Sequence, residues 1–229
     1  MFRVLSDMQA HVLSALFNGG IGKVGYYLTG GTALAEFYLQ HRHSDDLDLF
    51  TREKRPFKQD YEKLLRIFSD HGIEIVAAEI GDEFMRFFVS VMTKGEGQLK
   101  LEFAKDIAVM LSRPIVHEEI LADSFEDIAV NKICAILNRE PPEVKDFVDL
   151  FFILKESKYS VDNLVNRARE KEGGLDTELG RLHFATNLLR VAGFQFLPRM
   201  IKPLSLGQLK AFLLPLAQEM VMRMRPQRS

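Results

Sequence analysis

The chain has one cysteine, no tryptophan and no long apolar run among its 229 residues. A single cysteine cannot form an intrachain disulfide, and Cys134 has no neighbouring Cys or His cluster that would suggest a zinc site. Charged side chains interrupt the apolar pattern of the first residues, so no signal peptide is expected, and no segment is long enough to span a bilayer. These absences predict a cytoplasmic protein in a reducing environment, without a membrane partner.

An excess of either charge is also absent. The chain has 30 Lys and Arg residues against 32 Asp and Glu residues, so its formal net charge of −2 gives no argument for nucleic-acid binding. A locally basic segment begins at Arg199, and Glu219 is its one acidic side chain. Two interpretations of this segment stay open: a patch that contacts RNA phosphates, or a basic helix end that complements the helix dipole.

The hydrophobic pattern divides the chain into a mixed half and a helical half. Strands are expected at Tyr26–Thr29, Leu47–Phe50, Ile73–Glu79, Phe84–Met92 and Gln98–Phe103, with a hairpin turn at Lys94–Gly97. Helices are expected at Ser6–Phe17, Thr32–Gln40, Phe57–His71, Ser124–Asn138, Val144–Lys155, Asp162–Glu170 and Gly207–Met224. This order predicts an α+β fold, with a mixed sheet flanked by helices over residues 1–120 and a mostly helical domain over 121–229.

A glycine pair, Gly30-Gly31, ends an apolar run and begins one of the expected helices. Glycines allow close approach of another group to the backbone, and Thr32 adds a hydroxyl at the start of the helix. Backbone N–H groups at a helix start favour phosphate oxygens. Taken alone, the pair favours an ordinary turn from strand to helix over a phosphate site.

Two carboxylates follow after a helix of suitable length. Asp46 and Asp48 alternate with Leu47 and Leu49, so strand geometry places both acids on one face. Two close carboxylates repel each other unless a cation lies between them, and Mg²⁺ is the usual cation beside phosphates. The glycine pair and the acids together therefore predict metal-assisted phosphoryl chemistry.

Two further motifs are weaker indications of function. Gly20–Gly25 matches GxGxxG, but a dinucleotide-binding motif follows a strand and opens a helix, whereas this one follows a helix and leads into a strand. We interpret it as a connector. The Asp46–Asp48 pair also matches the DxD of aspartyl-phosphate phosphatases, in which a buried strand precedes the first Asp. The polar residues 42–45 cannot form such a strand.

Four ordered motifs resemble those of a known family, the AbiEii/AbiGii-toxin nucleotidyltransferases of the DNA polymerase β-like superfamily. The matching residues are Leu28–Ala35, then Arg42–Phe50, then Lys132 with Ala135, and last Arg139 with Lys145–Leu150. The resemblance covers about residues 26–155. It implies a nucleotidyltransferase-like sheet domain and a helical domain that completes an NTP cleft.

The resemblance also implies the reaction and its residues. A nucleoside monophosphate would be transferred from an NTP with release of pyrophosphate, assisted by a two-metal Mg²⁺ site. The implied metal ligands are Asp46 and Asp48, with Glu102 as a third acid from a neighbouring strand, where the family more often has Asp. Lys132 and Asp149 complete the implied catalytic set. Contacts to the nucleotide are implied for Gly30, Gly31, Thr32, Arg42, Ser44, Lys132 and Lys145.

Simpler interpretations of single residues stay open. Lys145 and Asp149 are one helical turn apart and could merely pair with each other. Cys134 lies among apolar helix residues, so we expect a small buried hydrophobe and no nucleophile. The loop residues His41 and His43 are expected to be solvated.

From the resemblance we expect an RNA acceptor, first a tRNA 3′ end and second a modified protein, in the toxin of a toxin–antitoxin pair with an antitoxin partner. A glycosyltransferase that uses Asp46 and Asp48 is a competing interpretation, although a glycine pair before the acids fits it poorly. A non-catalytic module that binds a nucleotide or an antitoxin is another, against which the two intact acids argue.

Overall fold

The computed structural model describes residues 3–92 and 97–224. The chain divides into two compact units, the sheet unit (Met1–Ser124) and the helical unit (Phe125–Ser229). The predicted α+β class is confirmed, because the first unit contains a mixed sheet and the second is built from helices. The hairpin turn expected at Lys94–Gly97 lies, apart from Gly97, outside the described residues. Among the helices of the described residues, none combines the length and the apolar character that a membrane span requires.

The sheet unit has seven strands in its described part. Its helices are α1 (Asp7–Asn18), α2 (Gly30–Ala33) and α3 (Phe57–Asp70), and its strands are β1 (Tyr26–Thr29), β2 (Leu47–Thr51), β3 (Glu74–Ile80), β4 (Phe84–Ser90), β5 (Leu99–Lys105), β6 (Ile115–His117) and β7 (Ile120–Ala122). The strands form one sheet in the order β3-β4-β5-β2-β1-β7-β6. β2 pairs in parallel with β5 and β1 with β7, whereas the other neighbours are antiparallel.

Local sequence signals explain where the first and third helices begin and end. Ser6 caps α1, since its hydroxyl accepts the backbone N–H of Gln9 while the Gln9 side chain accepts the backbone N–H of Ser6. α3 is followed by Gly72 with φ +64°, a conformation that glycine adopts without steric cost. Both helices therefore lie within a residue of their predicted bounds.

The core of the sheet unit lies on the face of the sheet that packs against α3. Alternate residues of β2, β4 and β5 are buried on this face, in keeping with the period of two in a strand. Phe87 makes edge-to-face contacts with Phe68 of α3 and with Phe103, at ring-centroid distances of 5.5 and 5.9 Å. The residues between these apolar ones are left on the opposite face.

The helical unit consists of five α-helices within the described residues. They are α4 (Phe125–Asn138), α5 (Val144–Glu156), α6 (Val161–Ala168), α7 (Glu178–Leu188) and α8 (Leu206–Arg223). α4 contacts α5, α6 and α7, and α8 contacts α5 and α7. α4 therefore lies among three other helices and carries some of the most buried side chains of this unit.

Four elements differ from the sequence-based expectation. β6 and β7 were not predicted, because three-residue strands are too short to show a period of two; Glu118, with φ +55°, lies in the turn between them. α7 was not predicted, because Gly180 disfavours a helix. Position 180 is a glycine because a Cβ there would overlap the backbone of Gly174. The second helix begins at Gly30 and continues from α2 as a π-helical segment, Leu34–Leu39.

Candidate active site

Three carboxylates that the sequence singles out lie on the face of the sheet opposite the core. Asp46 immediately precedes β2 and Asp48 lies within it, and both side chains are half-buried. The leucines that alternate with them are fully buried on the core face. β2 pairs in parallel with β5, and the register sets Asp48 beside Glu102. Strand parity and register therefore bring Asp46, Asp48 and Glu102 to one surface.

Gly30 and Gly31 are required by two side chains that approach the backbone closely. Gly30 has φ +70°, and a Cβ there would lie 2.5 Å from Oδ2 of Asp48. A Cβ on Gly31 would overlap the guanidinium of Arg42 and lie 3.2 Å from Oγ of Ser44. The glycine pair thus lets Asp48 and Arg42 lie directly against the turn between β1 and α2.

The loop 40–46, between the π-helical segment and β2, is held by polar contacts. Arg42 is 2% exposed and donates to the carbonyl oxygen of the next residue over 2.9 Å. Nε2 of Gln9, in α1, donates to the carbonyl oxygen of Ser44 over 2.7 Å. The hydroxyl of Thr32 donates to the carbonyl oxygen of Asp46. A guanidinium and two hydroxyl-bearing residues are thereby fixed around the glycine turn, and these groups suit phosphate oxygens.

A row of alternating charges crosses the same face of the sheet. Nζ of Lys100 lies 2.9 Å from Oδ2 of Asp46 and 3.1 Å from Oε2 of Glu102. Nη2 of Arg86 lies 2.7 Å from Oε1 of Glu102, and its Nη1 lies 2.9 Å from Oε2 of Glu79. Both oxygens of Glu102 are therefore bound by cations of the chain itself.

These ion pairs keep the groups of the row charged. Partial burial acts to raise the pKa of Glu102, but Arg86 and Lys100 outweigh it and hold that pKa below its usual value. Burial likewise acts to lower the pKa of Lys100, while Asp46 and Glu102 raise it above its usual value. The ammonium beside Asp46 and Glu102 is thus protonated at neutral pH.

The donor set on this face suits a hard cation such as Mg²⁺. Asp46 and Asp48 offer carboxylate oxygens, and Mg²⁺ is commonly held by one or two carboxylates together with substrate phosphates. Across residues 3–92 and 97–224, no three His, Cys, Asp or Glu side chains are arranged as a ready-made metal site. The two aspartates, with oxygens of a bound nucleotide, therefore form the fitting ligand set.

The remaining predicted residues belong to the helical unit. Nζ of Lys132, in α4, lies 2.9 Å from Oδ1 of Asp146 and 2.8 Å from Oδ2 of Asp149, both in α5. Oδ2 of Asp146 also accepts a hydrogen bond from Arg139 over 2.7 Å. The side chains of Asp146 and Asp149 are 1% and 0% exposed. Lys132 and Asp149 are therefore brought together in one buried ion-pair network.

Lys145 lies apart from this network, with its Nζ 2.7 Å from Oε2 of Glu143. The sequence left open a simple pairing of Lys145 with Asp149. In the structure Asp149 pairs with Lys132, and Lys145 pairs with Glu143. Three cations of the basic C-terminal segment also bond within the helical unit: Lys202 to Glu156, Lys210 to the carbonyl of Ala192, and Arg223 to Asp162 and Glu219. The last two arginines of the segment lie outside the described residues.

Several site residues escaped the sequence analysis. Lys100 shares the strand face of Glu102, so the alternation of β5 could have found it, but its contact with Asp46 depends on the pairing of β5 with β2. Arg86 likewise depends on the pairing of β4 with β5. His41 was expected to be solvated and is fully buried, while His43 is exposed. Gln9 was not singled out, because its contact with Ser44 joins two residues that lie far apart in the sequence.

Known proteins are similar to this chain over most of its length. The family model described as the nucleotidyl transferase AbiEii toxin of a type IV toxin–antitoxin system matches residues 13–225. An uncharacterised Aquifex aeolicus protein, aq_aa25, is 27% identical over 181 residues, which cover 76% of this chain and 79% of that protein.

Two solved structures share the fold at low sequence identity. JHP933 from Helicobacter pylori is 21% identical with a TM-score of 0.59, and the match covers 94% of this chain and 89% of that one. MenT4, a nucleotidyltransferase toxin from Mycobacterium tuberculosis, is 14% identical with a TM-score of 0.50, over 93% of this chain and 81% of that one. With the family model matching nearly the whole length, the chain belongs to the AbiEii nucleotidyltransferase toxin family.

Proposed function

We propose that this nucleotidyltransferase transfers a nucleoside monophosphate from an NTP to RNA, at a tRNA 3′ end, in a reaction that requires Mg²⁺. The observation that carries the proposal is the position of Asp46 and Asp48 on one face of the sheet, with Asp48 against the glycine turn. Carboxylates beside a turn that suits phosphates are the arrangement that metal-assisted phosphoryl transfer needs. An acceptor outside RNA would leave this part of the proposal unchanged.

The residues of the sheet unit divide into two groups. Asp46 and Asp48 would hold the divalent cation, which when bound polarises the α-phosphate and offsets the charge of the pyrophosphate leaving group. Gly30, Gly31 and the two hydroxyl-bearing residues, Thr32 and Ser44, would orient the phosphates, and Arg42 would pair with them. Arg42 is buried and hydrogen-bonded to the carbonyl oxygen of His43, so its guanidinium is already ordered beside the glycine turn.

The helical unit would contribute Lys132, Lys145 and Asp149. Nζ of Lys132 lies 2.8 Å from Oδ2 of the fully buried Asp149. We propose that this pair acts on the nucleotide and that Lys145, which is 39% exposed, adds a charge for its phosphates. The support for these three roles is the match of their motifs to the family, together with the burial of the pair.

The proposed partners follow from the family. A toxin of a type IV toxin–antitoxin system has an antitoxin, and we propose that a neighbouring antitoxin protein counteracts this chain in the cytoplasm. The RNA acceptor is also proposed from the family resemblance. The overall charge of −2 favours recognition of RNA through local contacts instead of a chain-wide basic surface.

The proposal is tested by label transfer from each of four α-³²P-NTPs into total RNA and total protein, with and without Mg²⁺. Asp48→Asn should abolish transfer, because it removes one of the two carboxylates that hold the cation. Asp82→Asn is the matched control, since Asp82 is an exposed aspartate in the turn between β3 and β4 of the same unit. It should transfer label like the natural protein.

The outcomes separate the parts of the proposal. Label in the tRNA band, lost with Asp48→Asn and without Mg²⁺, would support the reaction, the cation and the acceptor together. Label found in protein alone would overturn the RNA acceptor and keep the reaction. Equal transfer by the Asp48→Asn variant would overturn the proposed site.

A further inference from the structure

The ammonium of Lys100 lies between two carboxylates on the face of the sheet opposite the core. It lies 2.9 Å from Oδ2 of Asp46 and 3.1 Å from Oε2 of Glu102, so it bridges a carboxylate at the start of β2 and one in β5. An ammonium at hydrogen-bond distance from two carboxylates neutralises their repulsion as a metal ion would. Lys100 is itself half-buried, which reduces the screening of this charge by water.

Glu102 is held on its other side as well. Arg86 lies 2.7 Å from Oε1, and the guanidinium is in turn 2.9 Å from Glu79 at the edge strand β3. Arg86 approaches Oε1 through two nitrogens, Nε at 2.8 Å and Nη2 at 2.7 Å, and Lys100 occupies Oε2, so a metal ion at Glu102 would compete with these two ion pairs. Each is a charge-assisted hydrogen bond, and such bonds are among the strongest that side chains form.

Asp46 and Asp48 are differently placed. Within the described residues, Lys100 contacts Asp46 through Oδ2, so Oδ1 is left for a cation. Asp48 lies in the register position beside Glu102 and reaches the glycine turn. Asp46 and Glu102 thus share Lys100, Glu102 is also held by Arg86, and Asp48 lies against the glycine turn.

On the basis of the proposed function, we infer that this site takes a single divalent cation on Asp46 and Asp48, and that the Lys100 ammonium supplies the second positive charge. Glu102 is then a positioning residue for Lys100 and no metal ligand. An ammonium has three N–H donors, and Asp46 and Glu102 account for two in the described contacts, which leaves one for a phosphate oxygen of the substrate. This assignment differs from the two-metal site with three acids that the sequence suggests.

The inference is tested by titrating the full chain with Mn²⁺, without nucleotide, and counting bound ions by electron paramagnetic resonance. The natural protein should bind one Mn²⁺. Glu102→Gln should bind one, with a dissociation constant within about threefold of the natural protein, because this carboxylate is no ligand. Lys100→Met should bind a second Mn²⁺, because Asp46 and Glu102 are then free to hold it, and the double variant Lys100→Met/Glu102→Gln should bind one again.

Two further variants keep the test decisive. Lys100→Arg keeps the positive charge and should bind one Mn²⁺. Lys105→Met is the control, because Lys105 lies on the same strand and its ammonium contacts carbonyl oxygens of the β2–α3 loop. This variant should also bind one Mn²⁺. Two Mn²⁺ ions in the natural protein, or a site weakened more than about tenfold by Glu102→Gln, would overturn the inference. An unchanged single ion in Lys100→Met would overturn it too, provided that its melting temperature shows a folded chain.

Failure of the proposed function would give a different result from failure of this inference alone. If Asp48→Asn leaves the binding of Mn²⁺ unchanged, the ion is not held at the proposed site, and the proposed function fails with the inference. If Asp48→Asn abolishes the single ion while Glu102→Gln also does, the proposed site stands and the role given to Lys100 alone is wrong.

Discussion

Nζ of Lys132 lies 2.8 Å from Oδ2 of Asp149, and the two side chains are 9% and 0% exposed. The same ammonium lies 2.9 Å from Asp146, whose side chain is 1% exposed. Two buried carboxylates on α5 therefore share one lysine of α4. A buried charge that loses its partner is strongly destabilising, so the lysine is needed for folding of the helical unit as well as for its proposed role at the nucleotide.

Replacing Lys132 with Met is expected to lower the free energy of unfolding of the helical unit by about 3–5 kcal/mol, because it leaves buried carboxylates without their shared cation. Urea unfolding, followed by labelling of the Cys134 thiol in the same helix, measures this loss. Lys145→Met is the matched control, because Lys145 is 39% exposed and pairs with a half-exposed glutamate. It should change the free energy by less than about 0.5 kcal/mol. Equal effects of the two substitutions would show that the buried network contributes no more to stability than an exposed ion pair does.

Gly31→Ala should displace the guanidinium of Arg42, because the new Cβ overlaps it. We expect the affinity for NTP to fall by about tenfold or more, since a misplaced phosphate contact weakens binding and positioning together. Binding of a fluorescent NTP analogue measures the effect. Gly193→Ala is the control, because a Cβ at Gly193 meets nothing within 4 Å. An undiminished affinity in Gly31→Ala would show that Arg42 does not contact the nucleotide.

Gln9→Glu separates the two roles of Gln9. A glutamate still completes the capping box with Ser6, but it cannot donate to the carbonyl oxygen of Ser44. We expect the KM for NTP to rise by about fivefold, because the loop that carries Arg42 and Ser44 loses an anchor. Steady-state kinetics of transfer measure it.

Ser6→Ala is the complementary variant. It removes the capping hydroxyl and leaves the bond from Gln9 to Ser44, so it should cost about 1 kcal/mol of stability without changing the KM. The same rise of the KM in both variants would indicate that α1 matters only through its stability, and not through the loop contact.

The free energy of unfolding is expected to depend on pH through the single thiol. Burial raises the pKa of Cys134 from 9.0 to about 12, with Glu172 adding to the shift. Between these values the unfolded chain has lost the thiol proton and the folded chain has kept it, so stability should fall by about 1.4 kcal/mol for each pH unit above 9. The difference in unfolding free energy between the natural protein and Cys134→Ala, measured from pH 8 to pH 10, isolates this slope from other groups.

The same shift predicts a thiol that is slow to react. Below pH 9 the folded protein should resist a disulfide reagent such as DTNB and should react only on unfolding, because the thiolate is the reactive form. Rapid labelling of the native chain at pH 8 would contradict the raised pKa of this half-buried thiol. It would also reopen Cys134 as a nucleophile.

Most helices and strands could be predicted because they depend on residues that are close together in the sequence. The alternation of acids and leucines from Asp46 to Leu49 predicted both the strand and its two faces, and Ser6 and Gly72 marked helix ends within a residue. The three-residue strands β6 and β7 carry too few residues for such a pattern. α7 was hidden by Gly180, whose absence of a side chain is explained only by the backbone that packs against it.

The site residues could be predicted from the sequence where they depend on the pattern of one strand. Contacts that depend on the pairing of two strands could not be predicted. Asp48 and Gly30 are each conspicuous in the sequence, but their contact needs the antiparallel pairing of β1 with β2. The sequence analysis assigned no role to Lys100. Its place between two carboxylates is set by the parallel register of β5 with β2, and a register between strands distant in the chain leaves no mark on either strand alone.

The parallel pairing of β2 with β5 also has a consequence during protein synthesis. Parallel neighbours cannot be joined by a tight hairpin, and here the chain between them forms α3, β3 and β4 before it returns. A ribosome-bound chain that has emerged only as far as β2 therefore carries Asp46 and Asp48 without the strand that supports them. Because such long-range contacts form late, the three acids of the proposed site can come together on the nascent chain only after β5 has left the ribosome.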